Sequence, residues 1–344
     1  MNWDMIGHDW AVNLLKAHIT KNNVRHAYLF TGPAGVGKRT LALRFIRALN
    51  CLHPPQVGDY CSECRSCQII SQNASPDLHV VTTEENERSI KVDRIRTLRR
   101  SLSLSPNEAS RRMALLVDFH NATEQAANAL LKTLEEPPPK VVMMLTAESR
   151  ESLLPTIVSR CEIISLRPIM ANNLAEFLKS QGETAERAHL LASVASGRPG
   201  WAITVRNEPA VLERRDQLLD EMIELVGGDR QKRFSYIKDW NNSLRKRFPI
   251  LDDRRKECLE VLELWLGYWR DVMLVAYGAV EPRSNPDRKN EVEIHSGGIP
   301  KDQIIIAIEA IQNTIDAIDR NANLRLALET LMLDLPRFET EHVT

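Results

Sequence analysis

The stretch Ala27-Tyr28-Leu29-Phe30-Thr31-Gly32-Pro33-Ala34-Gly35-Val36-Gly37-Lys38-Arg39-Thr40 decides the fold. A short apolar run leads into a glycine-rich turn, and the helical pattern Leu41, Ala42, Phe45, Ile46, Leu49 follows, the order strand, turn, helix that a phosphate-binding loop requires. Gly32, Gly35 and Gly37 let backbone N–H groups converge on phosphate oxygens at a helix N-terminus, and the Lys38 ammonium would reach the β- and γ-phosphates. The next position should be Ser or Thr, whose hydroxyl binds Mg²⁺. Here it is Arg39, with Thr40 one residue late and about 100° further round the helix, so ATP/Mg²⁺ binding lacks its usual hydroxyl.

Outward from this loop, the runs Leu78–Thr82, Met113–Asp118, Val141–Thr146 and Glu162–Leu166 alternate with amphipathic stretches. That alternation predicts parallel strands joined by helical crossovers, a three-layer α/β P-loop domain over 1–166. Asp118 closes the third run, where it would stand beside the phosphate loop as a metal-side carboxylate; capping the next helix is its plainer role, one that Asn121 and Thr123 also fit. A hydrolysing site needs a Glu next, and Phe119 occupies that position, so the general-base role is empty. From Pro168 the pattern is helical, with a break at Ser196-Gly197-Arg198-Pro199-Gly200, which predicts a small helical domain over 167–207. A third, all-helical domain is expected over 208–344, with the stripe Leu259, Leu262, Trp265, Leu266, Trp269, Met273 packed in its core, and with Glu281–Gly298 as a mobile loop.

At about 150 residues per domain, 344 residues fit two or three domains. Lys+Arg 45 against Asp+Glu 46 gives a net charge of -1, which argues against an autonomous duplex-DNA binder. No apolar run is long enough to span a bilayer and MNWDMIGHDW does not read as a secretory signal, so the expected location is the cytoplasm. Of six cysteines, Cys51, Cys61, Cys64 and Cys67 cluster, with two overlapping C-x₂-C steps. In a reducing compartment this spacing reads as a closed, structural Zn²⁺ site, with His53 and His79 as substitute ligands whose plainer reading is ordinary surface histidines. Arg94, Arg96, Arg99 and Arg100, with Arg111 and Arg112 nearby, form the densest positive patch of the first half, read as a solvated helix face before a phosphate-contact surface.

Asn128-Ala129-Leu130-Leu131-Lys132-Thr133-Leu134-Glu135-Glu136-Pro137-Pro138, with His26–Pro33, Ser159-Arg160-Cys161 and Asn323–Leu331, resembles the subunits of bacterial clamp loaders, an AAA+ family. The resemblance implies an AAA+ sheet with a zinc insertion, a helical lid and a helical collar. It implies that Arg160, with Ser159, supplies an arginine finger to ATP on a neighbouring subunit, beside a small buried Cys161. The family's sensor arginine in the lid aligns with Gly200, and Arg198 stands two residues early. With the base absent, the resemblance is to a non-hydrolysing stator working inside a DNA-directed DNA polymerase holoenzyme. Its implied partners are the ATPase subunits gamma and tau, a delta subunit, the sliding clamp and primed DNA. Two other readings stand beside it: a gamma-type ATPase, against which Phe119 argues, and a stand-alone zinc-dependent DNA-binding protein, against which the net charge argues.

Overall fold

In the computed structural model, residues 3–84, 87, 89–280 and 284–338 are described. The first half runs α1 (Asp9–Thr20), β1 (Ala27–Thr31), α2 (Lys38–Asn50), α3 (Arg65–Ser71), β2 (Leu78–Val81), α4 (Val92–Leu102), β3 (Arg112–Leu116), α5 (Glu124–Glu135), β4 (Val141–Ala147), α6 (Pro155–Val158) and β5 (Glu162–Ser165). The helices that follow are α7 (Ala171–Ser180), α8 (Ala185–Val194), α9 (Pro199–Asn207), α10 (Pro209–Gly227), α11 (Arg230–Arg247), α12 (Leu251–Ala276), α13 (Lys289–Gly298), α14 (Lys301–Asp319) and α15 (Leu324–Asp334). Two compact units result: Met1–Ala188 with Gly197–Ala202, and His189–Ser196 with Ile203–Thr344.

The five strands form one sheet in the order β2-β3-β4-β1-β5, with every pairing parallel. This is the P-loop α/β core expected from the sequence, and its central strands β1, β3 and β4 are buried at every residue. Side chains alternate between the sheet faces. Tyr28, Phe30, Met113, Leu115, Val142 and Met144 meet Ala11, Val12, Leu15, Leu41, Phe45 and Ile46 of α1 and α2 on one side. Ala27, Leu29, Ala114, Leu116, Met143 and Leu145 meet Ile95, Leu98, Leu130, Leu134 and Ile157 of α4, α5 and α6 on the other. Continuous apolar runs are what strands covered on both faces need.

The second unit packs around α12, whose Leu262, Trp265, Leu266 and Trp269 are buried among Ile304, Ile311 and Leu328 of α14 and α15. The stripe is therefore core packing. No described helix is long and apolar enough to cross a membrane.

One expectation fails here. Within the expected mobile loop Glu281–Gly298, the described residues are ordered: Lys289–Gly298 is helix α13, with Val292 and His295 buried, and Pro286–Arg288 forms a 3₁₀ turn before it. The polar residues that suggested a loop are consumed by partners. Buried Asp271 accepts from the amides of Ser284 (3.0 Å) and Asn285 (2.8 Å), while buried Arg215 forks onto Asp287 at 2.7 and 3.0 Å. Glu281, Pro282 and Arg283 lie outside the described residues.

Candidate nucleotide loop, finger turn and metal centre

The phosphate loop links β1 to α2. Gly32, Gly35 and Gly37 have φ of 143°, 78° and 107°, backbone geometry that suits glycine. At Gly32 a Cβ would fall 2.3 Å from the Leu166 carbonyl, so nothing larger fits. Lys38 is buried and its Nζ donates to the loop carbonyls of Gly32 and Pro33, the latter at 3.0 Å. Burial pushes the Lys38 ammonium below its ordinary pKa, and the charges of Asp118 and Glu148 oppose that shift. The Asp118 charge is thus felt at Lys38. Arg39 and Thr40 are exposed on the first turn of α2.

Asp118 lies two residues beyond β3 in a left-handed conformation (φ 49°). Its amide donates to Thr146 Oγ1 at 2.8 Å, and Thr146 Oγ1 reaches Asp118 Oδ1 at 3.4 Å. The α5 cap is Thr123, which accepts from the Ala126 amide at 3.2 Å, while Asp118 makes no side-chain cap bond. Capping therefore does not account for Asp118. Phe119 is 1% exposed and belongs to the apolar core under the sheet. Where a water-activating carboxylate would stand, the side chain points into the core.

Two residues behind this loop escaped the sequence reading. Thr146 is the one polar residue in the otherwise apolar strand β4, and that signal was available. His8 is 2% exposed and its Nε2 lies 3.0 Å from the Val36 carbonyl of the loop. Since a carbonyl only accepts, Nε2 carries the proton; burial lowers the His8 pKa, which favours the neutral ring. No local pattern announces that contact.

The Ser196–Trp201 segment meets the loop from outside. The Gly200 amide donates to the Gly35 carbonyl at 2.8 Å. A Cβ on Gly200 would lie 2.9 Å from Gly35 O, and a Cβ on Gly35 would lie 3.1 Å from Trp201 N. Arg198 holds its guanidinium 5.9 Å from the Trp201 ring centroid. Where the resemblance puts a sensor arginine, backbone packs on backbone.

Ser159 and Arg160 follow the single-turn helix α6. Arg160 Nη1 donates to Thr156 O (2.9 Å) and Ser159 Oγ (3.3 Å), and Nη2 donates to Glu135 Oε1 (2.8 Å) at the end of α5. Its side chain keeps 35% of its exposure. Burial pushes the adjacent Cys161 thiol up to about 12, away from the thiolate form, and the half-buried side chain packs against the core beneath the sheet.

The four clustered cysteines converge. Cys51 follows α2, Cys61 precedes Cys64 at the α3 N-cap, and Cys67 lies in the first turn of α3. All four Sγ atoms lie within 4.8 Å of one another. Cys51–Cys61 and Cys51–Cys64 measure 3.6 and 4.0 Å, bracketing the ~3.8 Å edge of a tetrahedron with Zn–S bonds of about 2.3 Å. Burial raises the thiols of Cys51 and Cys67, the latter to about 12, whereas at Cys64 hydrogen bonds from Cys67 and Leu52 outweigh burial and bring the group to about 6. The donor set fits one tetrahedral thiolate-bound ion, and neither His53 nor His79 joins it.

The basic patch is divided. Arg112 is 3% exposed and pairs with buried Asp77 at 3.3 Å, so it is a core residue and not part of a surface. Arg94 pairs with Glu84 and Arg96 with Asp93. Arg96, Arg99, Arg100 and Lys132 line an open groove of ≈ 420 Å³ together with Glu136.

Residues 7–170 match the family described as DNA polymerase III, delta subunit. The chain is 26% identical to a DNA polymerase III subunit delta' of Bacillus subtilis over 94% of each protein. It is 36% identical to the subunit delta' of Pseudomonas aeruginosa over 58% of this chain and 61% of that one. Subunit tau of Bacillus subtilis is 27% identical over 79% of this chain but only 49% of its own length.

Proposed function

The chain belongs to the DNA polymerase III delta-prime family, and from that premise we propose that it is a non-hydrolysing stator of a clamp loader. The observation that carries the reading is Phe119: the position where a general base would stand holds an apolar side chain buried in the core, which cannot take a proton from water. Gly32, Gly35, Gly37 and Lys38 then form a cradle that holds phosphate without turning it over, with Asp118 on the metal side and Thr40 one residue past the usual hydroxyl position. Arg160, partly exposed beside Ser159, acts on a neighbouring subunit's ATP and stabilises charge on the transferring phosphoryl group. Cys51, Cys61, Cys64 and Cys67 hold a structural Zn²⁺ with no open coordination position.

In this reading 1–166 is the AAA+ module, 167–207 its lid and 208–344 the part that joins a collar with the gamma or tau and delta subunits in the cytoplasm. The assembly opens a sliding clamp and closes it on primed DNA, and the polymerase activity is the holoenzyme's. The test is DNA-stimulated ATP turnover by an assembly reconstituted from the organism's own subunits. With assembly intact, Arg160→Ala is expected to lower turnover at least about tenfold. Unchanged turnover would remove the finger, and turnover by this chain alone would favour a gamma-type motor.

A further inference from the structure

We propose that Glu135 is a positioning residue for Arg160, holding the guanidinium in the orientation in which it meets a phosphoryl group. The proposal rests on Arg160 acting in trans. Glu135 is the last residue of α5, and Glu136 leaves helical geometry (φ -124°, ψ 73°) before Pro137. A carboxylate there opposes the helix dipole, whose C-terminal end favours cations, so its placement calls for a compensating partner. Buried Leu134 and Leu130 fix the backbone beneath it. The partner is Arg160, at 2.8 Å.

Arg160 is held on two sides. Its own turn supplies Thr156 O and Ser159 Oγ to Nη1, and Ser159 Oγ itself donates to Thr156 O at 3.2 Å, which ties the hydroxyl in place. Only Glu135 reaches Nη2 among the described residues. Three of the fork's five N–H donors are thereby engaged, leaving Nε–H and one Nη2 N–H for an anion. With side chains 35% and 51% exposed, the pair adds little to folding stability. Its effect is instead on orientation: an unrestrained arginine samples many rotamers, and a reacting phosphoryl group needs one.

The test is a double-mutant cycle in the reconstituted clamp loader, with assembly checked for each variant and ATP turnover resolved into kcat and KM. Glu135→Ala is expected to lower kcat by about fivefold with KM for ATP unchanged, and Glu135→Asp to retain most of the activity. In an Arg160→Ala background, Glu135→Ala should change nothing further, since it acts only through Arg160. Wild-type turnover in Glu135→Ala, with Arg160→Ala impaired, would overturn the positioning role and leave the finger standing. A further loss on adding Glu135→Ala to Arg160→Ala would assign Glu135 another role and overturn the proposal. Undiminished turnover in Arg160→Ala would overturn the finger and this proposal together.

Discussion

Asp77 shows how one buried charge can hold a connection that no motif marks. Just before β2, at 1% exposure, it accepts from the amides of Asn107 (2.8 Å), Glu108 (2.9 Å) and Ala109 (2.9 Å) and from Arg112 Nη2 (3.3 Å). Burial by itself would raise its pKa, but the three amides and the Arg112 charge outweigh that and hold the carboxyl below its ordinary value. A depressed folded-state pKa means that the stabilisation is fully present above the unfolded value of about 3.9 and is lost as pH falls through the folded one. Asp77→Asn keeps the shape and removes the charge, leaving Arg112 buried beside a neutral group. It should cost about 3 kcal/mol at pH 7. In urea titrations the gap between wild type and variant should narrow below about pH 4; a gap equal at pH 7 and in acid would show that the carboxylate charge is not what holds the loop.

Among the elements, those written locally in the sequence were the ones legible there. β1 was expected over Ala27–Thr31 and is found there, because a parallel strand buried on both faces must be an apolar run and the glycines after it mark its end. The cysteine spacing likewise announced a cluster that the fold closes. Helix α13 was not legible: the segment leading into it looks like a loop until the bonds from Asp271 to Ser284 and Asn285 and from Arg215 to Asp287 are seen across the fold. Nor was the Gly35–Gly200 contact, since residues so far apart in the chain meet only in three dimensions. That contact makes a prediction about α9. Gly200→Ala puts a Cβ 2.9 Å from Gly35 O and 3.2 Å from Gly35 Cα, both backbone atoms, so the first turn of α9 must lift. The expected cost is about 1–3 kcal/mol in thermal unfolding. Gly267→Ala, in open space within α12, should instead stabilise by up to about 1 kcal/mol. A Gly200→Ala variant as stable as the wild type would show that the Gly200 contact is not close-packed.

At the scale of the whole molecule, the division into two compact units has a thermodynamic consequence. The first unit encloses two apolar clusters on the faces of its sheet, and the second has its own cluster around Trp265 and Trp269. Units with separate cores need not unfold together, and an all-or-none transition is not expected for such a chain. The cysteine cluster belongs wholly to the first unit, between α2 and α3. A metal ion held by the four thiols would bind the folded site and not the unfolded chain, so its binding energy would stabilise the unit that contains the cluster. Scanning calorimetry should therefore resolve two transitions. Stripping metal with a chelator should lower one of them by at least about 5 °C, and Cys64→Ser should lower the same one. The other should stay where it is in both experiments, and mutation of Trp269 to Ala should move that one alone. A single transition that chelation shifts as a whole would mean that the two cores are energetically one, whereas two transitions both indifferent to chelation would mean that the four thiols do not hold a stabilising metal.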